Sequence, residues 1–170
     1  LYTGLCGSAG EIGHMTIDVN GPKCNCGNIG CLETLASGTA VAREAILRIG
    51  QGEKSSLTQI VEGKIENITA ETVEIAARNG DSLALEVISK AATYLGIGLV
   101  NLVNIFNPEM IIIGGGMAKM GDLLLNPARQ VVKEKAFQLS AQVVQIVPAQ
   151  LGDDAGVLGA AVFAFQQEVD

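Results

Sequence analysis

The sequence predicts an α/β domain in which helices pack on a sheet. Three observations carry this: apolar residues recur at helical spacing over several long stretches, short β-branched runs interrupt them, and glycine or asparagine marks most of the changeovers. A chain of 170 residues, 48% of them hydrophobic, can bury a real core, and this length corresponds to one domain or one lobe of a larger protein.

Residues 12–19 alternate imperfectly, and the β-branched Ile12, Thr16, Ile17 and Val19 predict a strand. The following loop, 20–30, is rich in Gly, Asn, Cys and Pro and has no apolar period, so something other than a core must order it. From 32 to 49, Leu35, Val41, Ala42, Ala45, Ile46 and Ile49 recur at helical spacing, with Gly38 predicted to divide the run into a short and a longer helix. Residues 51–67 read as a polar surface excursion with a short helix around 57–61. Thr69 or Thr72 is placed to cap a helix through Ala77 that Asn79-Gly80 stops, and Asp81 to cap a long helix to about Asn104.

The second half of that long helix, with Leu95, Ile97, Leu99, Val100, Leu102 and Val103, leaves almost no polar face and is predicted to be buried. Residues 110–113 read as a short interior strand, followed at once by Gly114-Gly115-Gly116. A helix from about 122 to 136 leads to a strand at 143–147, and a last helix is expected from near Asp154 to Phe165.

Composition excludes several classes of function. The formal charge is −7 and the Lys and Arg residues are scattered, so no positive face for a nucleic-acid backbone is expected. The apolar stretch 95–113 is interrupted by Asn101, Asn104, Asn107, Pro108 and Glu109, which argues against a membrane span. Residues 1–10 lack the charged and apolar regions of a signal peptide, so a cytoplasmic protein is expected. Opening at Leu1 in turn-rich sequence, the chain is expected to be a piece of a longer protein.

Three of the four cysteines lie in Cys24-Asn25-Cys26-Gly27-Asn28-Ile29-Gly30-Cys31, with the single histidine, His14, upstream. Thiolates and imidazole are preferred zinc ligands, and four of them close a tetrahedron, the pattern of a structural site. The residues also allow free buried thiols or a disulfide, although Cys-x-Cys is sterically poor for a disulfide and free thiols need no glycine-rich loop. Cys6 reads as a packed, inert thiol. Glu11 and Glu33 bracket the cluster. Paired carboxylates accept hydrogen bonds from sugar hydroxyls, while Glu33 by itself is also suited to the first turn of a helix.

Glu11-Ile12-Gly13-His14 followed by Cys24-x-Cys26-Gly27-x-x-Gly30-Cys31-x-Glu33 resembles the double signature of the ROK family of bacterial sugar kinases, chiefly glucokinases, and sugar-responsive repressors. The resemblance implies zinc held by His14, Cys24, Cys26 and Cys31, and sugar hydroxyls held by Glu11, His14 and Glu33.

The triple glycine sits at the carboxyl end of a strand, where α/β folds present ligands. A dinucleotide fingerprint fails, because the next glycine after Gly116 is Gly121, at the wrong spacing. A plain strand-to-helix connection remains open. The stretch from Asn107-Pro108-Glu109 to Gly114-Gly115-Gly116 resembles the family's adenosine-binding segment, which implies that Gly114, Gly115 and Gly116 pack against adenosine. Gly152-Asp153-Asp154-Ala155-Gly156 resembles a further family segment, in which Asp153 and Asp154 are expected to cap a helix rather than catalyse.

By resemblance, residues 1–170 form the C-terminal lobe of a two-lobed, actin-like (ribonuclease-H-like) sugar kinase fold with a mixed sheet, a zinc and sugar segment at 11–33 and an adenosine segment at 107–121. The implied activity is an ATP-dependent hexose kinase, a glucokinase, phosphorylating a sugar 6-hydroxyl with Mg-ATP. No catalytic residue is expected in this chain, since the phosphate loop and general base belong to the other lobe. The alternative is the sugar-binding effector domain of a transcriptional repressor. Expected partners are a hexose, ATP, the N-terminal lobe and further copies in a homo-oligomer.

Overall fold

The structure, a computed structural model, describes residues 2–167. In chain order the elements are α1 (Leu32–Ala36), α2 (Gly38–Gly50), α3 (Leu57–Ile60), α4 (Ala70–Arg78), α5 (Ser82–Phe106), β1 (Met110–Ile113), α6 (Asp122–Lys135), α7 (Gln138–Val143), β2 (Gln145–Pro148) and α8 (Ala155–Gln167).

The starts of three helices follow from side-chain chemistry. Ser37 Oγ accepts the Ala40 amide and begins α2, which is why the apolar run divides beside Gly38. Thr69 and Thr72 form a reciprocal capping box on α4. Asp81 Oδ1 accepts the Ala84 amide and starts α5, while Oδ2 accepts the Ser56 amide and the hydroxyls of Ser55 and Ser56. One carboxylate thus caps a helix and anchors the polar excursion before it.

α5 is the axis of the molecule. It is long and apolar enough to cross a membrane, yet Leu83, Val87, Ile88, Leu99 and Val103 are buried where α1, α2, α4 and α6 pack on it. Around its first half, Val41, Leu57, Val73, Ile88, Met120 and Leu124 form one core cluster. Around its second half, Leu99, Val103, Ala128, Val132 and Ile146 form another, beneath the sheet.

Among the described residues the sheet is β1 paired parallel with β2, in the register Met110↔Gln145 to Ile113↔Pro148, rather than a mixed sheet. Antiparallel pairing occurs only as isolated bridges, Thr16↔Cys31 and Lys23↔Ile29. The expected interior strand 110–113 has one covered face: Ile111 and Ile113 pack toward α5 and α6, whereas Met110 and Ile112 are exposed. Apolar residues on both faces are the pattern of a strand that is covered twice.

One further expectation changes. Residues 12–19 hold no strand: Ile12–His14 is a single 3-10 turn and Thr16 makes one bridge, because the segment folds back on residues 30–32 through Ile17 N–H to Gly30 and Leu32 N–H to Met15 instead of entering a ladder. The last helix begins at Ala155, continuing directly from a 3-10 turn over Gly152–Asp154. Asp154 lies in that turn, and the side chain of Asp153 lies outside the described residues.

Candidate functional site

The loop preceding α1 is built by its own backbone. Gly30 N–H donates to the Pro22 carbonyl, Cys24 N–H to the Asn28 carbonyl, and the Asn28 side-chain amide to Thr16 Oγ1 at 2.9 Å. Gly30 has φ +66, and a Cβ there would collide with the carbonyl of Asp18, so no other residue permits this crossing. The 3-10 turn at Ile12–His14 packs against α1 and sets His14 beside the loop.

The result is a convergence of four donors. One ligand atom from each of His14, Cys24, Cys26 and Cys31 lies within 4.8 Å of the other three. Cys24 Sγ is 3.7 Å from His14 Nδ1, and Cys26 Sγ is 3.6 Å from Cys31 Sγ. Tetrahedral zinc with bonds of roughly 2.0–2.3 Å requires ligand separations of about 3.3–3.8 Å. The cluster fits that tetrahedron with slight contraction, and none of its three cysteines is in a disulfide. Cys24 and Cys31 are buried, His14 is half-buried and Cys26 is exposed.

The thiols differ in acidity. The hydrogen bond from Cys24 Sγ to Glu33 Oε1, 2.9 Å, pushes the Cys24 thiol up to about 12. Burial raises Cys31. The Asn28 backbone amide, followed by the Cys24 side chain, lowers Cys26. A metal cation set among them would replace the protons that Cys24 and Cys31 hold.

Glu33 is in the first turn of α1, as a helix-start residue would be, but its carboxylate faces the cluster, with Oε1 also 3.6 Å from His14 Nδ1. Gly13 lies directly against it. Glu11 is exposed at the head of the 3-10 turn, where its carbonyl accepts the His14 amide. The structure therefore gathers His14, Glu33 and the three cysteines, with Glu11 one turn away.

Cys6 is exposed, not packed: it lies in a glycine-rich turn beside the equally exposed Leu5, and its Sγ is 3.5 Å from Ser8 Oγ, a contact that lowers its pKa. Asp18, which no motif singles out, accepts the Asn20 amide and the Tyr94 hydroxyl, tying the loop to α5. No sequence signal marks that pair, whose members are 76 residues apart.

Gly114, Gly115 and Gly116 are exposed at the carboxyl end of β1, separate from the cysteine cluster. Gly115 has φ +79, and a Cβ on it or on Gly116 would meet nothing within 4 Å, so the backbone there is open to close approach. A 3-10 turn, Gly116–Met120, then leads into α6.

The pattern of the ROK family matches residues 1–167. A glucokinase of Halalkalibacterium halodurans is 44% identical over 166 residues, 97% of this chain and 50% of that protein. A putative xylose repressor of a Caldicellulosiruptor species is 39% identical over 159 residues, 94% of this chain and 39% of that protein. The crystal structure of a ROK family glucokinase from Streptomyces griseus in complex with glucose and AMPPNP superposes with a TM-score of 0.88 at 34% identity, over 98% of this chain and 54% of that one. The chain thus spans about half the length of the glucokinases it matches. Its α/β fold is that of the actin-like ROK sugar kinases, and the match runs through both the cysteine loop and the glycine turn: this chain belongs to the ROK family.

Proposed function

We propose that this chain is the C-terminal lobe of a cytoplasmic, ATP-dependent hexose kinase, a glucokinase that transfers the γ-phosphoryl group of Mg-ATP to a sugar 6-hydroxyl. The observation that carries the reading is the 44% identity to a glucokinase across both the cysteine loop and the glycine turn. His14, Cys24, Cys26 and Cys31 are the zinc ligands in this reading, supported by their mutual distances. Zinc there supplies rigidity, fixing a loop that has no apolar core of its own.

Glu11, His14 and Glu33 hold the sugar, the two carboxylates accepting hydrogen bonds from its hydroxyls. Gly114, Gly115 and Gly116 face adenosine, which the open backbone at Gly115 and Gly116 favours. Phosphoryl transfer depends mainly on positioning and charge stabilisation, so this lobe contributes geometry. The general base and the phosphate clamp belong to the other lobe.

A second reading has support of its own: the 39% identity to a xylose repressor. In that case the same loop senses sugar and the residues beyond this chain bind DNA. A sugar-phosphorylation assay on the longer protein separates the two readings. ATP-dependent formation of sugar phosphate is the expected result. Its absence, together with operator binding that sugar relieves, would select the repressor.

A further inference from the structure

A cleft of about 460 Å³ lies beside the cysteine loop, where the loop around Asp18 meets α1, α2 and α5, and it shares Thr34 and Arg43 with the groove that holds Glu33. Its volume falls within the roughly 300–1,000 Å³ of small-molecule sites. The floor is apolar and buried, formed by Ala40, Val41, Val87 and Ala91. The rim is polar, and its charged members are Asp18, Arg43, Glu44 and Lys90, with the phenol of Tyr94 beside them.

Two features limit what fits. The charges cancel, two carboxylates against two cations, so the wall has no field that favours an anion or a cation. The groups are also held in place before any ligand arrives: Lys90 Nζ is 2.7 Å from Glu44 Oε1, the Tyr94 hydroxyl donates to Asp18 Oδ2 at 3.3 Å, and Arg43 donates to the Thr34 carbonyl. These bonds leave further lone pairs on each carboxylate and further N–H groups on Arg43 and Lys90, so donors and acceptors alternate around an apolar floor.

A ligand that matches such a wall is neutral, carries many groups that both donate and accept, and has an apolar face. We propose that this cleft is a second carbohydrate site, taking a neutral mono- or disaccharide with its ring face on Leu35 and Leu47, the apolar lining that reaches solvent above the buried floor, and its hydroxyls on Asp18, Arg43, Glu44 and Lys90. It borders the site assigned to Glu11, His14 and Glu33 but contains none of those three residues, and it does not require that assignment to hold.

Binding is read by methyl NMR on isotopically labelled protein carrying Glu33→Gln, which weakens the zinc-adjacent site. D-glucose, D-xylose and maltose are titrated in turn, with inorganic phosphate and glycine as an anion and a zwitterion. The expected result is a saturable shift of the Val41, Val87 and Ala91 methyls with at least one sugar, weakened about tenfold by Glu44→Gln. Ala91→Leu, which fills the floor, should abolish it; should that variant fail to fold, Glu44→Gln decides. No saturable shift with any of the sugars, or a shift indifferent to Glu44→Gln, overturns the proposal. A stronger response to phosphate or glycine than to sugar overturns it as well. Loss of sugar binding at the zinc-adjacent site alone leaves these methyl shifts unchanged, so the two assignments fail separately.

Discussion

At Glu33 one carboxylate oxygen accepts the Cys24 thiol at 2.9 Å and lies 3.6 Å from His14 Nδ1. A residue so placed serves the proposed zinc loop and the proposed sugar contact differently, and substitution can separate the two. Glu33→Gln keeps the shape and removes the charge. It should weaken sugar affinity of the longer protein by about 1.5–3 kcal/mol, the range for a hydrogen bond to a charged group, with zinc content unchanged. Calorimetry and elemental analysis on one preparation check both, and unchanged sugar affinity would reduce Glu33 to a helix-start residue. Cys26 is the exposed member of the cluster. Protein purified without chelators should contain about one zinc per chain. Cys26→Ser should increase hydrogen exchange across 20–30 more than it lowers the midpoint of global unfolding, since the cores around α5 lie elsewhere.

Among the elements, α5 shows how much of this fold is written locally. Its start was legible because an aspartate cap has a fixed chemical form, and its burial was legible because its second half lacks a polar face. The cap of α4 at Thr69 or Thr72 was legible for the same reason, whereas the division of the apolar run was legible from Gly38 and not from the Ser37 cap that starts α2. The false strand at 12–19 came from β-branched residues whose pairing reduces to one bridge, because the course of that segment is set by contacts with residues 30–32 that no local period encodes. The four candidate ligands were legible because metal chemistry calls for rare side chains, whereas the link between Asp18 and Tyr94 joins common residues far apart in sequence. Asp81 gives the test at this scale. Burial raises its pKa, but hydrogen bonds from the Ala84 and Ser56 amides and the Ser56 and Ser55 hydroxyls together outweigh burial and hold it below its ordinary value. A depressed carboxylate stabilises the folded state above its unfolded pKa, near 3.8, and that contribution disappears as pH falls through the folded value. Asp81→Ala should cost about 1–2 kcal/mol in urea unfolding at neutral pH. Asp81→Asn should retain part of the cap and flatten the loss of stability below pH 4.

For the molecule as a whole, the proposed reading makes this chain one wall of a site. The cysteine loop precedes α1, the glycine turn follows β1, and the exposed Met110 and Ile112 leave one face of the sheet uncovered. A kinase must orient or deprotonate the acceptor hydroxyl and clamp the β- and γ-phosphates with Mg²⁺, tasks that need groups on both sides of a cleft. His14 is the single histidine, and as a ligand of the proposed zinc it would not be free to act as a base. A sugar covered on one side only would keep water in the cleft, which weakens each hydrogen bond to it. The chain alone, folded and loaded with zinc, should therefore give a background rate in a coupled assay for sugar phosphate, while the longer protein gives turnover. Sugar affinity of the chain alone at the Glu11, His14 and Glu33 site should be millimolar or weaker by calorimetry. Turnover by the purified chain would place the base within these 170 residues and overturn the division of labour between the lobes.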